Sequence, residues 1–243
     1  MNIHTTPRKA LLGGVLALLG ASAMAQEAVI RKNLPERLPQ LKTIDEINKT
    51  GIPGLFEIRV NGNDIFYTDS QANYLIMGNL IDTQAKRNLT EERLEKLSAV
   101  KFDELPLKDA FTIVRGTGKR KLAVFEDPNC GYCKRFERDL QKLDNVTVYM
   151  FLYPILGPES GEKSKAIWCA KEPAKAWQDW MLRDKQPPSP TNGCDSTALA
   201  RNVELGRNYR INGTPTIILT NGQRIPGAVD DKQLEKALAE VKG

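Results

Sequence analysis

The sequence predicts a mixed α+β and α/β chain: an α/β domain over residues 106–243, preceded by a small, mostly β unit over residues 26–87. Three observations carry this. Beyond residue 107, short apolar runs alternate with stretches of helical periodicity. Upstream, strand-like segments crowd a region with little helical signal. Between them, residues 88–105 hold an amphipathic pattern that fits a linker helix.

The first residues read as a secretory signal over residues 1–25. Arg8 and Lys9 form a short positive region, and Ala10–Gly20 an apolar core. Ala23, Met24 and Ala25 supply a small-residue cleavage site, so cleavage is expected after Ala25. The apolar run is shorter than the ~20 residues of a spanning helix, and no later stretch is long and apolar enough. The mature chain is therefore expected outside the reducing cytosol and not embedded in a membrane. Removing Arg8 and Lys9 lowers the 35 basic residues to 33 against 30 acidic ones, so the net charge falls from +5 to +3. That balance argues against nucleic acid as a partner.

In the small unit, Leu55–Val60 alternates like a strand, Asn61 and Gly62 signal a turn, and Asp64–Thr68 returns as a hairpin arm. Tyr74–Ile81 is a third apolar run, and a short helix is expected near Leu41–Asn48. A unit of about 60 residues buries too little surface to be robust alone, and an exposed strand edge invites self-association. In the linker, Asn88 or Thr90 is the expected N-cap, with Leu94, Leu97 and Val100 along one face.

The larger domain opens with the strand Leu122–Phe125, then a helix over 131–143 with Phe136, Leu140 and Leu143 on one face. Val146–Tyr153 is the next strand. A helical block follows, with Ala166, Ala170, Ala174, Trp177 and Met181, broken by Pro187, Pro188 and Pro190. Another helix is expected over 197–208. Thr216–Thr220 and Arg224–Val229 are strands around the turn Asn221-Gly222, and Asp230 caps a last helix over 231–241. The order is βαβ, a helical insertion, then ββα.

Four cysteines, Cys130, Cys133, Cys169 and Cys194, fit two disulfides in an exported chain. Three pairings are open, of which Cys130 with Cys133 is the local one. Cys130-Gly131-Tyr132-Cys133 follows a buried strand and opens a helix. Unpaired N–H groups and the dipole at a helix N-terminus stabilise a thiolate there. The spacing brings both sulfurs together, so Cys130 is expected as an exposed nucleophile and Cys133 as the more buried resolving thiol. Half of a zinc site is the competing reading, but it needs two more ligands, and the only histidine, His4, lies in the signal. No metal is expected. Gly213-Thr214-Pro215 stands just before the Thr216 strand, where proline is tolerated. A cis Thr214–Pro215 bond would set this backbone beside the Cys130 sulfur and leave backbone groups free to pair with a substrate.

Together the CGYC segment, Thr214-Pro215, Ala166–Lys171 (AIWCAK) and the N-terminal segment with its linker helix resemble the DsbC/DsbG family of periplasmic thiol:disulfide interchange proteins. Gly131, and threonine before the proline, place the resemblance on the DsbC side. It implies a thioredoxin-like domain with a helical insertion, behind a cystatin-like dimerisation domain, in a V-shaped homodimer with an apolar cleft. It implies disulfide isomerisation of misoxidised exported proteins in the periplasm by Cys130 and Cys133, with Gly131, Tyr132, Thr214 and Pro215 at the substrate. It further implies chaperone-like binding of unfolded chains and a membrane reductase of the DsbD type as electron donor, without any cofactor. Cys169 and Cys194 match the family's second, structural disulfide. The alternatives are a net thiol–disulfide reductase and a DsbG-like chaperone whose thiols are incidental. Val124 stands where thioredoxins keep a buried acid, so no proton relay is assigned. Glu126 and Asp127 lie nearer the motif, where a negative charge would raise the thiol pKa and partly oppose the helix effect unless both point into solvent; the sequence leaves their direction, and with it the redox potential, open.

Overall fold

The computed structural model describes residues 15–41 and 43–241, and divides the chain into two compact units, Met1–Leu97 and Ser98–Gly243. The first half of the expected signal, residues 1–14, lies outside the described residues. Its remainder lies in helix α1 (Val15–Arg37), which runs through Ala25 into the following chain.

In the first unit, α1 precedes an antiparallel sheet of β1 (Ile44–Lys49), β2 (Leu55–Val60), β3 (Asp64–Asp69) and β4 (Leu75–Ile76), ordered β1-β2-β3-β4. Ile30 and Leu34, four apart on α1, are buried with Phe56, Ile58 and Val60 of β2. Asn61 and Gly62 turn the chain with φ of 50° and 90°, a left-handed path that these two residue types tolerate. Arg37 latches the end of α1 to the Gln71 and Ala72 carbonyls.

The expected helix at Leu41–Asn48 is corrected: the segment is β1, paired with β2. Ile44 and Ile47 are three apart, a helical spacing, yet both pack on the core. The register shifts between Ile44 and Glu46, and that extra residue inverts the strand's alternation. The third apolar run is also reduced. Only Leu75–Ile76 pairs as β4, and Ile81–Asp82 (β5) forms a separate two-residue ladder with Arg87–Asn88 (β6). The linker helix is shorter than expected: α2 spans Leu89–Ser98. The Asn88 side chain accepts from the Glu91 N–H, while Thr90 is buried against the Tyr67 hydroxyl. Arg93 ties α2 to its own unit through Glu46 and Glu57. Val100, read as part of the helix face, is buried in the second unit.

The second unit begins with one-turn 3₁₀ helices at Phe102–Glu104 and Leu107–Asp109 and the strand β7 (Phe111–Arg115), which the sequence reading missed. β8 (Arg120–Glu126), α3 (Gly131–Leu140) and β9 (Val146–Leu152) form the βαβ unit. The insertion is α4 (Pro158–Trp168), α5 (Pro173–Arg183) and α6 (Thr197–Asn208). β10 (Thr216–Leu219), β11 (Arg224–Pro226) and α7 (Asp231–Glu240) close the chain. The sheet is ordered β11-β10-β8-β9-β7, with β8 and β9 parallel and the other pairs antiparallel. Asp230 caps α7 reciprocally with Gln233.

The central strand β8 is buried on both faces, so it reads as one apolar run rather than an alternation. Leu122 and Val124 face one core with α3, whereas Ala123 and Phe125 face another with Phe151, Tyr153 and Ile218. On α3, Cys133, Phe136, Glu137 and Leu140 make the buried stripe. The CGYC segment thus stands where β8 ends and α3 begins.

Candidate active site

Cys130 is the N-cap of α3, and its Sγ lies 3.3 Å from the Cys133 backbone N–H, which donates to it. The Thr214–Pro215 bond is cis, and the Thr214 carbonyl oxygen also lies 3.3 Å from Cys130 Sγ. These two segments are 84 residues apart and meet because β10 pairs with β8. Neither sulfur is in a disulfide in this structure. Cys130 is 6% exposed and Cys133 fully buried, so Cys130 is more enclosed than the exposed sulfur expected of it. Gly131 and Tyr132 fill the first turn of α3, and the Tyr132 side chain is 68% exposed.

The two thiols are driven in opposite directions. Cys130 falls from the ordinary 9.0 to about 5. The largest cause is the Cys133 thiol, which stabilises a Cys130 thiolate by donating to it. Burial opposes this; Thr214 and the backbone N–H groups of Cys133 and Tyr132 add to it. Cys133 is pushed far upward, first by burial, then by its bond to Cys130 and by the negative charge of Glu126. One thiolate at neutral pH beside one thiol is the asymmetry an attacking and a resolving cysteine need.

Glu126 and Asp127, whose direction the sequence leaves open, are both fully buried. The cause is local. Glu126 continues β8 on the face of Val124, and Asp127 is drawn inward by four donors. Its carboxylate accepts from the N–H groups of Asn129, Ile155 and Leu156 and from the Ser160 hydroxyl. Asp127 therefore fixes the turn before Cys130 to the loop that leads into α4. Trp180 braces the same turn by donating to the Pro128 carbonyl at 2.6 Å. Lys134 and Lys163 lie over its ring, and Lys163 also reaches Asn129. Sequence reading missed these braces because their partners come from the distant insertion. Glu126 alone left a signal, the period of two along β8.

Cys169 and Cys194 form a disulfide with Cα atoms 5.8 Å apart. It joins the end of α4 to the loop before α6.

The chain is similar to known proteins. Residues 107–242 match the family model of a thioredoxin-like domain, and residues 21–91 that of the disulfide bond isomerase protein N-terminal domain. The chain is 44% identical to the "Probable thiol:disulfide interchange protein DsbC" of Bordetella avium over 209 residues, covering 86% of this chain and 73% of that protein. The chain belongs to the DsbC family of thiol:disulfide interchange proteins. The Bordetella parapertussis DsbC is 50% identical over 185 residues, 76% of this chain, and the match spans 65% of that relative's length. Escherichia coli K12 DsbC is 28% identical over 237 residues, 94% of its length. Among solved structures, a disulfide interchange protein from Neisseria gonorrhoeae superposes with a TM-score of 0.53 at 40% identity, covering 56% of this chain and 97% of that one. The thioredoxin-like wiring expected from the βαβ and ββα order is borne out.

Proposed function

We propose that this DsbC-family protein isomerises disulfides in exported proteins, with Cys130 as nucleophile and Cys133 as resolving thiol. The reading rests on one observation above all: Cys130 Sγ at the N-terminus of α3, within 3.3 Å of both the Cys133 N–H and the Thr214 carbonyl. The Cys130 thiolate attacks one sulfur of a substrate disulfide. A mixed disulfide forms, and the other substrate sulfur leaves as a thiolate. That thiolate attacks a second substrate disulfide, and a later substrate thiolate displaces Cys130, so no net electrons are consumed. If Cys133 attacks Cys130 first, the substrate leaves reduced and the protein oxidised. Gly131, Tyr132, Thr214 and Pro215 line the substrate's approach, and Cys169–Cys194 is structural.

The signal-like N-terminus supports export to the periplasm, with cleavage after Ala25. A membrane reductase of the DsbD type would then keep Cys130 and Cys133 reduced. Tyr74, Ile76, Met77 and Ile81 are each more than half exposed, around the edge strand β4. An apolar edge of this kind, in a unit matching the DsbC N-terminal family, supports a homodimer and, with it, holding of unfolded chains. Ile76→Asp should turn a sedimenting dimer into a monomer; an unchanged dimer would refute this interface.

The deciding experiment incubates reduced protein with a scrambled, fully oxidised substrate bearing several disulfides. Recovery of native substrate, lost in Cys130→Ser, is expected. A substrate that is only reduced would establish a net reductase. Absence of thiol exchange with holding of unfolded chains intact would establish a chaperone.

A further inference from the structure

Beside the two sulfurs, Glu126 is a fully buried acid that the fold leaves without partners: neither carboxylate oxygen has a hydrogen-bond partner among the described residues. A buried acid without partners carries its desolvation penalty uncompensated. Asp127, equally buried, has four donors, so the fold is able to satisfy an acid at this end of β8. An acid left unsatisfied beside a reactive pair calls for a chemical reason.

Placement supplies one. Leu122 and Val124 share a core with Cys133 and Phe136, and the period of two along β8 puts Glu126 on that same side. The negative charge of Glu126 also pushes the Cys133 thiol upward. The charged groups acting on Glu126 are Glu137 of α3 and Cys130, which caps it, while Glu126 acts on Cys133; Asp127 is next along the chain. Glu137 in turn accepts from Trp177 and feels Arg115 of β7.

We propose that Glu126 is the proton acceptor through which Cys133 resolves the mixed disulfide, and that it thereby sets how often a captured substrate leaves reduced rather than reshuffled. This rests on the reading of Cys130 as nucleophile. The Glu126 carboxylate takes the proton of Cys133–SH. The Cys133 thiolate attacks Cys130 Sγ, the Cys130–Cys133 bond forms, and the bond from Cys130 to the substrate breaks. The substrate sulfur departs as a thiolate carrying the electron pair, and is protonated by Glu126 or by solvent. Protein is oxidised and substrate reduced, so the step balances.

Burial, the charge of Glu137 and the Cys130 thiolate all make Glu126 a stronger base than an ordinary carboxylate. That narrows the gap to a thiol and eases the transfer. The Cys130 contribution is absent once its sulfur is bound in the mixed disulfide. The carboxylate form of Glu126 is therefore more populated at the one stage when Cys133 must lose its proton.

The test loads Cys130 with glutathione as a mixed disulfide and follows glutathione release by acid quench and mass spectrometry across pH. Glu126→Gln should slow release about 100-fold and flatten its pH profile, in line with loss of one proton acceptor. Glu126→Met should do the same, and Glu126→Asp should restore part of the rate. The same Glu126→Gln protein should raise the ratio of isomerised to reduced product from a scrambled substrate. Unchanged release with an unchanged pH profile in both Glu126→Gln and Glu126→Met would overturn the proposal. If Cys130 forms no glutathione adduct even in Cys133→Ala, where nothing can resolve it, the nucleophile reading itself falls, and this inference with it.

Discussion

Two pairs of cysteines share the second unit, and they sit at opposite ends of helices. Cys130 is the N-cap of α3, whereas Cys169 is the C-cap of α4. The first position offers backbone N–H groups and partial positive charge; the second offers carbonyls and partial negative charge. A thiolate is stabilised in one place and disfavoured in the other. Cys130 also has a second thiol three residues away in the same turn, so closing its disulfide constrains almost no chain. Cys169 and Cys194 close a loop across 25 positions. Cysteine chemistry in this protein thus depends on the neighbouring thiol first, with help from the N–H groups of the helix start, and on loop length; residue type alone says little about it.

The comparison breaks most sharply by deleting each pair. Cys169→Ala with Cys194→Ala should lower unfolding free energy by about 3 kcal/mol, the chain-entropy value for a loop of this size. Equilibrium urea unfolding measures it. Thiol exchange by the folded double variant should stay near wild type at temperatures where it remains folded. Loss of exchange in that folded protein would mean that the second pair relays electrons to the first.

A smaller effect sharpens the electrostatic half of the contrast. The rate of iodoacetamide alkylation at Cys130 should rise through a midpoint near pH 5, where its thiol titrates. The folded value lies below the ordinary 9.0, so the thiolate stabilises the reduced fold fully only above pH 9. That contribution is lost as pH falls to about 5. Replacing Cys133 with alanine removes the largest cause and should move the alkylation midpoint upward. An unmoved midpoint would assign the low value to the backbone N–H groups and Thr214 instead.

Much of this site was legible in the sequence, because CGYC, its place between strand and helix, and Thr214-Pro215 are local patterns with a direct chemical meaning. The strands β8, β9 and β10 were legible because each is a dense apolar run. What escaped depended on distant partners. The direction of Asp127 stays open until the loop before α4 brings Ile155, Leu156 and Ser160 to it. β1 was misread because its bulge gives Ile44 and Ile47 a helical spacing. β7 was passed over although Phe111 and Ile113 alternate into the core as a strand at the sheet edge should. Glu126 escapes the thioredoxin pattern, which puts a buried acid at the place of Val124, because it lies two residues further along the same strand face.

The smallest expected effect concerns Tyr132, which tests whether reactivity and recognition are separable within one turn of α3. Its side chain is 68% exposed and belongs to no core. Tyr132→Ala should therefore change unfolding free energy by no more than about 0.5 kcal/mol, as for other surface positions. The alkylation midpoint of Cys130 should hold too, because Tyr132 acts on that sulfur through its backbone N–H, which alanine keeps. If the ring serves to hold substrate, KM for a peptide disulfide should rise a few-fold while kcat stays constant, since such binding is equal in ground and transition states. A fall in kcat with unchanged KM would instead place the ring in the exchange step, and recognition and reactivity would then share the same residue.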